Sequence, residues 1–330
     1  MSYIESAKTY TGNDLETIFF RPMLSGPSAI DLGVRVIYNM PVPTTVQLWS
    51  APSNVLKKYT TTGWEGTTKS IKQQKTIDLQ RIKAEMGFAA SDYFSLVFEQ
   101  ISARSDVNMQ DLTGTELEAA ETEIFRRAIA ESIRTTMWIG DTERTTIFNT
   151  FDGFLKCITE YVDDSQIPTV EYTASDIEDA DYAIEIFDSL WNGSSQTLKD
   201  LKGDGELAFF VTSDIYSLYE KYLDQKGVDS AYVDAINGRQ GLMYHGIPII
   251  DLHIETFLAL SGFDTSFCIL TDRRNLALAV NTADFPGSEI KMWYNPDEME
   301  NRQRATFMMG CDVLDEAIIS YAHMVEESED

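Results

Sequence analysis

A long polar segment between two alternating runs most constrains the fold of this 330-residue chain. The run TTVQLW begins at Thr44 and the run TIDLQRIKAEM begins at Thr76, and both alternate as strands do. Residues 50–75 between them contain KKYTTTGWEGTTKSIKQQK and little that could build a core. The pattern predicts a two-stranded ribbon with a Thr- and Gly-rich tip, in which the second run returns beside the first. Such a ribbon is marginal alone in water, so we expect it to lie on a neighbour.

The charge of the chain is strongly acidic and unevenly distributed. The net charge is −27, yet residues 55–85 carry seven basic side chains against three acidic ones. Residues 160–188 carry ten acidic side chains and neither Lys nor Arg. A chain this acidic is not expected to bind nucleic acid through its overall field, because phosphate binding depends on Lys and Arg. The segregation has two interpretations: ordinary variation between solvated faces, or a basic ribbon on one copy that meets an acidic surface on another.

Membrane and secretory signals are missing from the sequence. No apolar run reaches the roughly 20 residues that span a bilayer, and the N-terminus lacks the basic and apolar regions of a secretory signal. The three cysteines Cys157, Cys268 and Cys311 are widely spaced. They predict reduced, buried thiols in a cytosolic protein, not a disulfide framework or a zinc site.

The clearest predicted helix runs from Thr115 to Gly140. Thr115 and Glu118 form a capping box, and apolar residues then recur every four positions at Phe125, Ile129, Ile133 and Met137. A shorter helix is expected over 91–101, and further helices over 175–191 and 213–227. Strands are expected near 206–212, 240–252, 267–270, 277–281, 290–293, 304–309 and 317–321. This order predicts an α+β fold in which the last strands pair with the ribbon and pack on the long helix.

The stretch YHGIPIIDLHIE, residues 244–255, concentrates residue types that bind metals: His245, Asp251, His253 and Glu255. Gly246-Ile247-Pro248 opposes a helix and favours a strand. Along a strand the two histidines lie roughly 26 Å apart, so they could share an ion only if the chain folded sharply at Pro248. Asp251, His253 and Glu255 would alternate onto one face. A half-buried strand is the favoured interpretation, and a metal-dependent hydrolase that uses these three residues is the alternative.

Other chemical motifs are weaker. The sequence contains no G-x-S-x-G, no phosphate-binding G-x-x-x-x-G-K-[ST] and no H-E-x-x-H. The loop DLKGDGE, residues 200–206, has Lys202 at a ligand position of a calcium loop and Val211 at the twelfth position, so it is interpreted as a turn. Cys157 has no histidine nearby in the sequence to activate it as a nucleophile. No catalytic, cofactor-binding or metal site is therefore predicted.

Four stretches of the second half follow one another in a recognisable order. They are FFVTSDIYSLYEKYLDQKG (209–227), LMYHGIPIID (242–251), CILTDRRNLALAVN (268–281) and RATFMMGCDVLDEAIISYA (304–322). This order resembles the A-domain and closing strands of tailed-bacteriophage major capsid proteins, which have the Hong Kong 97-like fold. In the first half, DLQRIKAEMGFAASDYFSLVFEQI resembles the descending E-loop strand and first P-domain helix of that family. ELEAAETEIFRRAIAESIRTTMWIGD resembles its long spine helix.

The resemblance implies a division of the α+β chain into four parts. These are an N-arm (1–35), an E-loop region (36–85), a P-domain with the spine helix and strands (86–160 and 283–313), and an A-domain (161–282 and 314–330). In this family the E-loop lies across a neighbouring subunit. The resemblance therefore implies subunit contacts by the E-loop residues Lys57, Lys58, Trp64, Lys69, Lys72 and Lys75. Some relatives crosslink E-loop lysines to asparagines, but no specific partner stands out here.

The resemblance also implies a function. Copies of the chain are expected to form pentamers and hexamers of an icosahedral shell that encloses double-stranded DNA without sequence-specific binding, non-enzymatically and without a cofactor. No long charged helical segment precedes the N-arm, so scaffolding is expected to be a separate protein or absent. A portal and decoration proteins are further expected partners, with assembly in the host cytoplasm and residence in the virion. The alternatives are an encapsulin-type shell, which has the same fold but encloses cargo enzymes, and the hydrolase above.

Overall fold

The computed structural model describes residues 28–38, 44–50, 71–89, 116–164, 167–226, 233–234, 240–261, 263, 266–281 and 290–325. The strands in these ranges are β1 (Arg35–Tyr38), β2 (Thr44–Ser50), β3 (Ile71–Ile77), β4 (Gln80–Ala89), β5 (Thr169–Tyr172), β6 (Leu207–Val211), β7 (Val233–Asp234), β8 (Gln240–Gly241), β9 (Met243–Tyr244), β10 (Ile247–Asp251), β11 (Phe267–Asp272), β12 (Leu276–Val280), β13 (Ile290–Asn295), β14 (Glu300–Val313) and β15 (Ile319–Met324). The helices are α1 (Glu116–Ile139), α2 (Phe154–Asp163), α3 (Tyr182–Gly193), α4 (Gln196–Asp200), α5 (Ser213–Lys226) and α6 (Glu255–Ser261). Short 3-10 helices lie at Asp176–Glu178, Leu201–Asp204, Arg273–Asn275 and Glu316–Ile318.

A five-stranded sheet is built around the long strand β14. β4 pairs antiparallel with residues 300–309 of β14, β13 pairs with residues 300–305, and β12 pairs with residues 309–313. β1 completes this sheet by pairing in parallel with β12. Burial alternates along β14, where Phe307 is buried and Arg304 and Thr306 are exposed. Along this part of β14, one face of the sheet therefore packs inside the protein and the other faces solvent.

The long helix α1 packs on the buried face of this sheet. Its contact residues are 6% exposed or less and recur every four positions: Phe125, Ile129, Ile133 and Met137. They belong to the largest apolar core, together with Phe307 and Met309 of β14. The helix predicted from the i+4 spacing is thus confirmed, and the closing strand packs on it as expected.

A six-stranded mixed sheet has the order β5-β15-β11-β6-β10-β9. Every residue of its central strands β6 and β11 is buried, as is typical of strands covered on both faces. Phe209 packs in a core with α3 and α5, whereas its neighbour Phe210 belongs to the core that contains α1. The alternation of side chains along β6 therefore ties the two cores together through one strand.

The ribbon is present, but its return strand differs from the prediction. β2 pairs antiparallel with β3, and neither strand pairs with another described strand. The run TIDLQRIKAEM was expected to return beside TTVQLW, and this was wrong for most of its length. Thr76 and Ile77 end the ribbon, whereas residues 80–89 form β4 in the five-stranded sheet. Alternation continues across the break, because Ile77 and Leu79 are both buried, so the pattern could not locate the change of sheet.

The strand predicted over 240–252 is also interrupted. It consists of β8, β9 and β10, and His245 and Gly246 form the turn between β9 and β10 with φ values of 51° and 79°. The chain thus reverses at His245–Gly246, before Pro248, in a two-residue hairpin turn. The helix predicted over 175–191 is likewise divided, into the 3-10 helix at Asp176–Glu178 and α3.

The division into four domains stays a prediction. The five-stranded sheet contains β1 and β4 from the proposed E-loop region and β12 from the proposed A-domain, so this sheet crosses two of the proposed boundaries. Most of the proposed N-arm, the ribbon tip at 51–70, the helix expected over 91–101 and the capping residue Thr115 lie outside the described residues.

Candidate assembly surfaces

The base of the ribbon has a small apolar core of its own. Its buried members are Val46, Ile77, Leu79, Ala277, Ala279 and Leu314. Two come from the ribbon strands, one follows β3, and the others belong to β12 and the segment after β14. This core is separate from the two cores of the body. This small core therefore attaches the ribbon to the body at its base.

A second attachment at the ribbon base is polar, and we call it the Lys75 cluster: Lys75, Tyr161, Asp312 and Glu316. Lys75 Nζ on β3 donates to Tyr161 Oη at 2.5 Å and to Glu316 Oε1 at 2.7 Å. The same Nζ lies 3.5 Å from Asp312 Oδ1 and 4.4 Å from the centre of the Tyr161 ring. Tyr161 Oη in turn donates to Asp312 Oδ1 at 3.2 Å. One ammonium thus connects the ribbon to α2, β14 and the 3-10 helix at Glu316–Ile318.

The cluster is largely buried, and its pKa shifts follow from that. Burial lowers the pKa of Lys75, but the hydrogen bonds to Glu316 and Tyr161 outweigh it, so the pKa lies above the usual lysine value. Burial raises the pKa of Asp312 above its usual range, and the nearby Lys75 offsets this only in part. Lys75 therefore stays charged at neutral pH, and it is the partner that makes burial of two carboxylates tolerable.

The residues predicted to contact a neighbouring subunit are only partly within the described structure. Lys57, Lys58, Trp64 and Lys69 lie outside the described residues. Lys72 lies on β3 opposite Trp49 of β2. In the single chain the Lys75 ammonium is bound by groups of its own chain and its side chain is 16% exposed, so a contact of Lys75 with a neighbouring subunit stays a prediction. No local pattern could indicate this cluster, since Glu316 is 241 positions away.

An open apolar groove lies between α1 and the edge of the five-stranded sheet. It has a volume of about 350 Å³. Ile82 and Met86 of β4 form one wall, and Phe125 and Ile129 of α1 form the other. Apolar surface of this kind is a site at which another protein surface can bury its own side chains. The groove was not predicted from the sequence, because it exists only where two distant segments pack together.

An acidic surface lies on the six-stranded side of the molecule. Its exposed carboxylates cluster before and within α3, at Glu178, Asp179, Asp181 and Glu185. Asp181 lies 3.2 Å from Lys226 Nζ of α5. The acidic stretch read from the sequence is thus solvent-facing in its described part, as a surface that meets a basic partner would have to be.

The three residues proposed as metal ligands come together, but in a different arrangement. β10 ends at Asp251, His253 follows in a loop with φ of 51°, and Glu255 begins α6, so they do not alternate along one strand as expected. Ser213 Oγ donates to both carboxylate oxygens of Asp251 at 2.7 and 2.8 Å, and Ser213 N–H donates to Glu255. The two carboxylates therefore bind the first turn of α5, where the helix dipole favours negative charge.

His253 also contacts Asp251, but its own side chain is largely exposed to solvent. Its backbone N–H donates to Asp251 Oδ1 at 2.9 Å, and its ring Nδ1 lies 3.1 Å from Asp251 Oδ2, with the side chain 57% exposed. Among the residues that the structure describes, no group of three or more His, Cys, Asp or Glu side chains is arranged to hold a metal ion. The geometry supports helix capping at this site.

The remaining candidates have structural surroundings. Cys268 and Cys311 are buried free thiols as expected, but Cys157 is partly exposed. Burial, Asp312 and Glu160 all raise the pKa of Cys157, which disfavours the nucleophilic thiolate. The loop at 200–206 forms the 3-10 helix Leu201–Asp204, followed by Gly205 in the left-handed region. No helix in the described part of the chain is long and apolar enough to cross a membrane.

Arg134 is a positioning residue that the sequence did not indicate. It lies on α1 with 5% of its side chain exposed and pairs with Glu131 at 2.6 Å. Its Nη1 donates to the backbone carbonyl of Leu252 at 2.9 Å, directly after β10. A buried arginine that bridges a long helix to a distant loop leaves no local pattern, because its partner is 118 positions away.

Several solved structures are similar to this architecture. No family model and no curated protein matches the sequence. Among solved structures, a chain of the satellite phage P4 procapsid including size determination (Sid) protein is 12% identical with a TM-score of 0.53, over 88% of this chain and 93% of that chain. A chain of Gordonia phage Cozz is 12% identical with a TM-score of 0.50, over 98% and 96%.

A third similar chain comes from the holo-SrpI encapsulin complex of Synechococcus elongatus PCC 7942. It is 9% identical with a TM-score of 0.47, over 96% of each chain. The likeness to the two phage chains covers 88% and 98% of this chain. The chain therefore has the Hong Kong 97-like fold of tailed-phage major capsid proteins.

Proposed function

We propose that this chain is the major capsid protein of a tailed phage. Copies assemble into pentamers and hexamers of an icosahedral shell that encloses double-stranded DNA, and the chain resides in the virion after assembly in the host cytoplasm. The observation that carries the proposal is the ribbon. Its strands β2 and β3 pair with each other and with no other described strand, and their described contacts with the body lie at the base. A ribbon of this kind is stabilised when it lies on a second copy.

The body supplies surfaces that suit such a contact. The groove between α1 and β4 is apolar and open, and the carboxylates around α3 face solvent. The lysine-rich ribbon segment complements an acidic surface of another copy. The overall charge of −27 also disfavours tight binding of the genome, so DNA is enclosed without sequence-specific contacts. A separate scaffolding protein, a portal and decoration proteins belong to the same proposal as partners.

Electron microscopy of the particles tests this proposal. The full chain is produced in bacteria, the fast-sedimenting fraction is isolated, and single-particle reconstruction is expected to show an icosahedral shell with hexamers and pentamers. The proposal would be contradicted by a chain that stays monomeric at every concentration, or by one whose shells enclose only cargo enzymes. Nuclease-protected DNA in particles from infected cells separates a virion shell from an encapsulin-type compartment.

Substitution of ribbon lysines tests the proposed contact within the same experiment. Replacing Lys57, Lys58, Lys69 and Lys72 with alanine is expected to lower the yield of shells about tenfold, which corresponds to roughly 1.4 kcal/mol for the four substitutions together. The matched control replaces four body lysines with alanine: Lys199, Lys202, Lys221 and Lys291. Both variants change the net charge equally, so an equal loss of shells in the two would show that charge and not the ribbon matters.

A further inference from the structure

The Lys75 cluster and the close approach at Gly310 lie at the same end of the ribbon. A Cβ atom on Gly310 of β14 would lie 2.0 Å from the carbonyl oxygen of Asp78. Glycine is therefore required where β14 passes under the chain that leaves the ribbon. Asp78 follows Lys75 by three residues, and Asp312 follows Gly310 by two. The ribbon is thus fastened to β14 at two neighbouring points, one by backbone contact and one by the ammonium.

Two points of attachment fix the direction in which the ribbon leaves the body, whereas a single point would allow the ribbon to rotate. The backbone contact at Gly310 and the small apolar core around Ile77 fix where the ribbon leaves the body. The Lys75 cluster holds the next part of β3 to α2 and to the 3-10 helix at Glu316–Ile318. No described strand outside the ribbon pairs with β2 or β3, so no described sheet hydrogen bonds beyond the base hold the ribbon to the body.

The charges in the cluster make Lys75 the deciding member. Its ammonium faces the carboxylates of Asp312 and Glu316, and the Tyr161 ring covers it. Removal of this one cation leaves two carboxylates close together at a largely buried site, and they repel each other. Loss of Lys75 therefore both cuts the attachment and drives its former partners apart.

We propose that Lys75 is a positioning residue that sets the direction in which the ribbon leaves the body. In the shell, this direction determines the angle between neighbouring copies and hence the diameter of the particle. The second statement rests on the proposed function, whereas the first concerns the single chain. Shell curvature is sensitive to such a residue because a small rotation at the base becomes a large displacement at a distant tip.

Distance measurements on the unassembled chain test the first statement. Spin labels are placed at Ser50, at the end of β2 away from the base, and at exposed Ser217 on α5, in a background in which Cys157 is replaced by serine. Wild type is expected to give one narrow distance distribution. Lys75→Met is expected to shift its mean and broaden it, and Lys75→Arg to restore most of the wild-type distribution because it keeps the charge.

Lys156→Met is the matched control. Lys156 also has a mostly buried ammonium, 2.7 Å from Asp141 and 3.1 Å from Asp152, but all three residues lie in the body. It is expected to lower stability without changing the ribbon distance. Glu316→Gln removes the charge of one partner of Lys75 and keeps the size of that side chain. It should shift the distance in the same direction as Lys75→Met, and it replaces Lys75→Met in the test if that variant does not fold.

The outcomes separate the two proposals. A folded Lys75→Met or Glu316→Gln chain with the wild-type distance distribution would overturn the positioning role. Altered distances with an unchanged distribution of particle diameters in cryo-electron microscopy would overturn the link to curvature. Altered distances in a chain that never assembles would leave the positioning role supported while the capsid function fails.

Discussion

The ribbon and the six-stranded sheet are both β-structure, but different interactions hold them. Every residue of β6 and β11 is buried between two cores. In the described part of β3, residues 74–77, by contrast, Gln74 and Thr76 are exposed and Ile77 is fully buried. The sheet is therefore part of the cooperative unit of the body, whereas we expect the ribbon to open locally without unfolding the rest. This contrast agrees with the proposed role of the ribbon in contacts between copies.

The two lysine clusters repeat this contrast with similar chemistry. Lys156 and Lys75 have side chains 13% and 16% exposed, and each ammonium lies 2.7 Å from a carboxylate oxygen. Lys156 joins the segment after α1 to α2, and both belong to the body. Lys75 joins the ribbon to the body. The same interaction thus stabilises the fold in one place and orients a projection in the other.

The largest expected effect comes from truncation in the sheet. Phe209 is fully buried, and its ring lies 5.0 Å from the ring of Phe187. Phe209→Ala removes these contacts and leaves a cavity, so the free energy of unfolding should fall by about 3–5 kcal/mol. Denaturant unfolding of the unassembled chain measures it.

Val46→Ala is the matching truncation in the ribbon. It removes fewer atoms from a smaller core at a site 8% exposed, so global stability should fall by roughly 1 kcal/mol or less. If Val46→Ala destabilised the chain as much as Phe209→Ala does, the ribbon would belong to the cooperative unit and the contrast would be wrong.

An effect between those of Phe209→Ala and Val46→Ala is expected from a substitution at Gly310, at the ribbon base. The new Cβ of Gly310→Ala would meet the backbone carbonyl of Asp78, which no side-chain rotation can relieve. We expect about 1–3 kcal/mol of destabilisation, with faster hydrogen exchange in β3 and unchanged exchange in β6. Gly203→Ala is the control, because a Cβ there meets nothing within 4 Å. Equal protection of β3 in the two variants would argue against the close contact as an anchor.

The sequence predicted those features that repeat locally. The i+4 spacing gave α1, and unbroken apolar runs gave β6 and β11, because burial leaves a periodic trace in neighbouring residues. The Lys75 cluster leaves no such trace, since Tyr161 is 86 positions from Lys75 and Glu316 is 241. The sequence therefore groups Lys75 with the other E-loop residues expected to contact a neighbouring subunit and does not indicate its contacts within the chain. The change of sheet at Asp78 was missed for the opposite reason, because the alternating pattern runs straight through it.

The stretch with His253 shows why local chemistry can mislead. Asp251, His253 and Glu255 were grouped as metal ligands because of their residue types alone. In the structure, the carboxylates of Asp251 and Glu255 instead accept hydrogen bonds from Ser213 at the start of α5. Nothing near Asp251 in the sequence indicates that this helix N-terminus lies beside it, because Ser213 is 38 positions earlier.

The smallest expected effect concerns the body cluster and depends on pH. Burial raises the pKa of Asp141, but hydrogen bonds from Lys156, the Glu143 N–H and Arg144 outweigh it and hold the pKa below the usual aspartate value of 3.8. A carboxyl whose pKa is lower in the folded chain stabilises the fold above its unfolded pKa. This contribution is lost as the pH falls through the folded pKa.

Asp141→Asn should therefore lower the free energy of unfolding by about 1 kcal/mol at neutral pH. The difference from wild type should shrink as the pH falls below 3.8 and vanish once the pH is below the folded pKa, because both chains then carry a neutral group at this position. Urea unfolding of both chains at a series of pH values measures the difference in their free energies of unfolding. The titration of all other groups affects both chains equally and therefore cancels in this difference. A gap of constant size down to the lowest pH would mean that packing, and not charge, connects Asp141 to Lys156. The ribbon distance of this variant should equal that of wild type throughout, because the body cluster stabilises the fold but does not orient the ribbon.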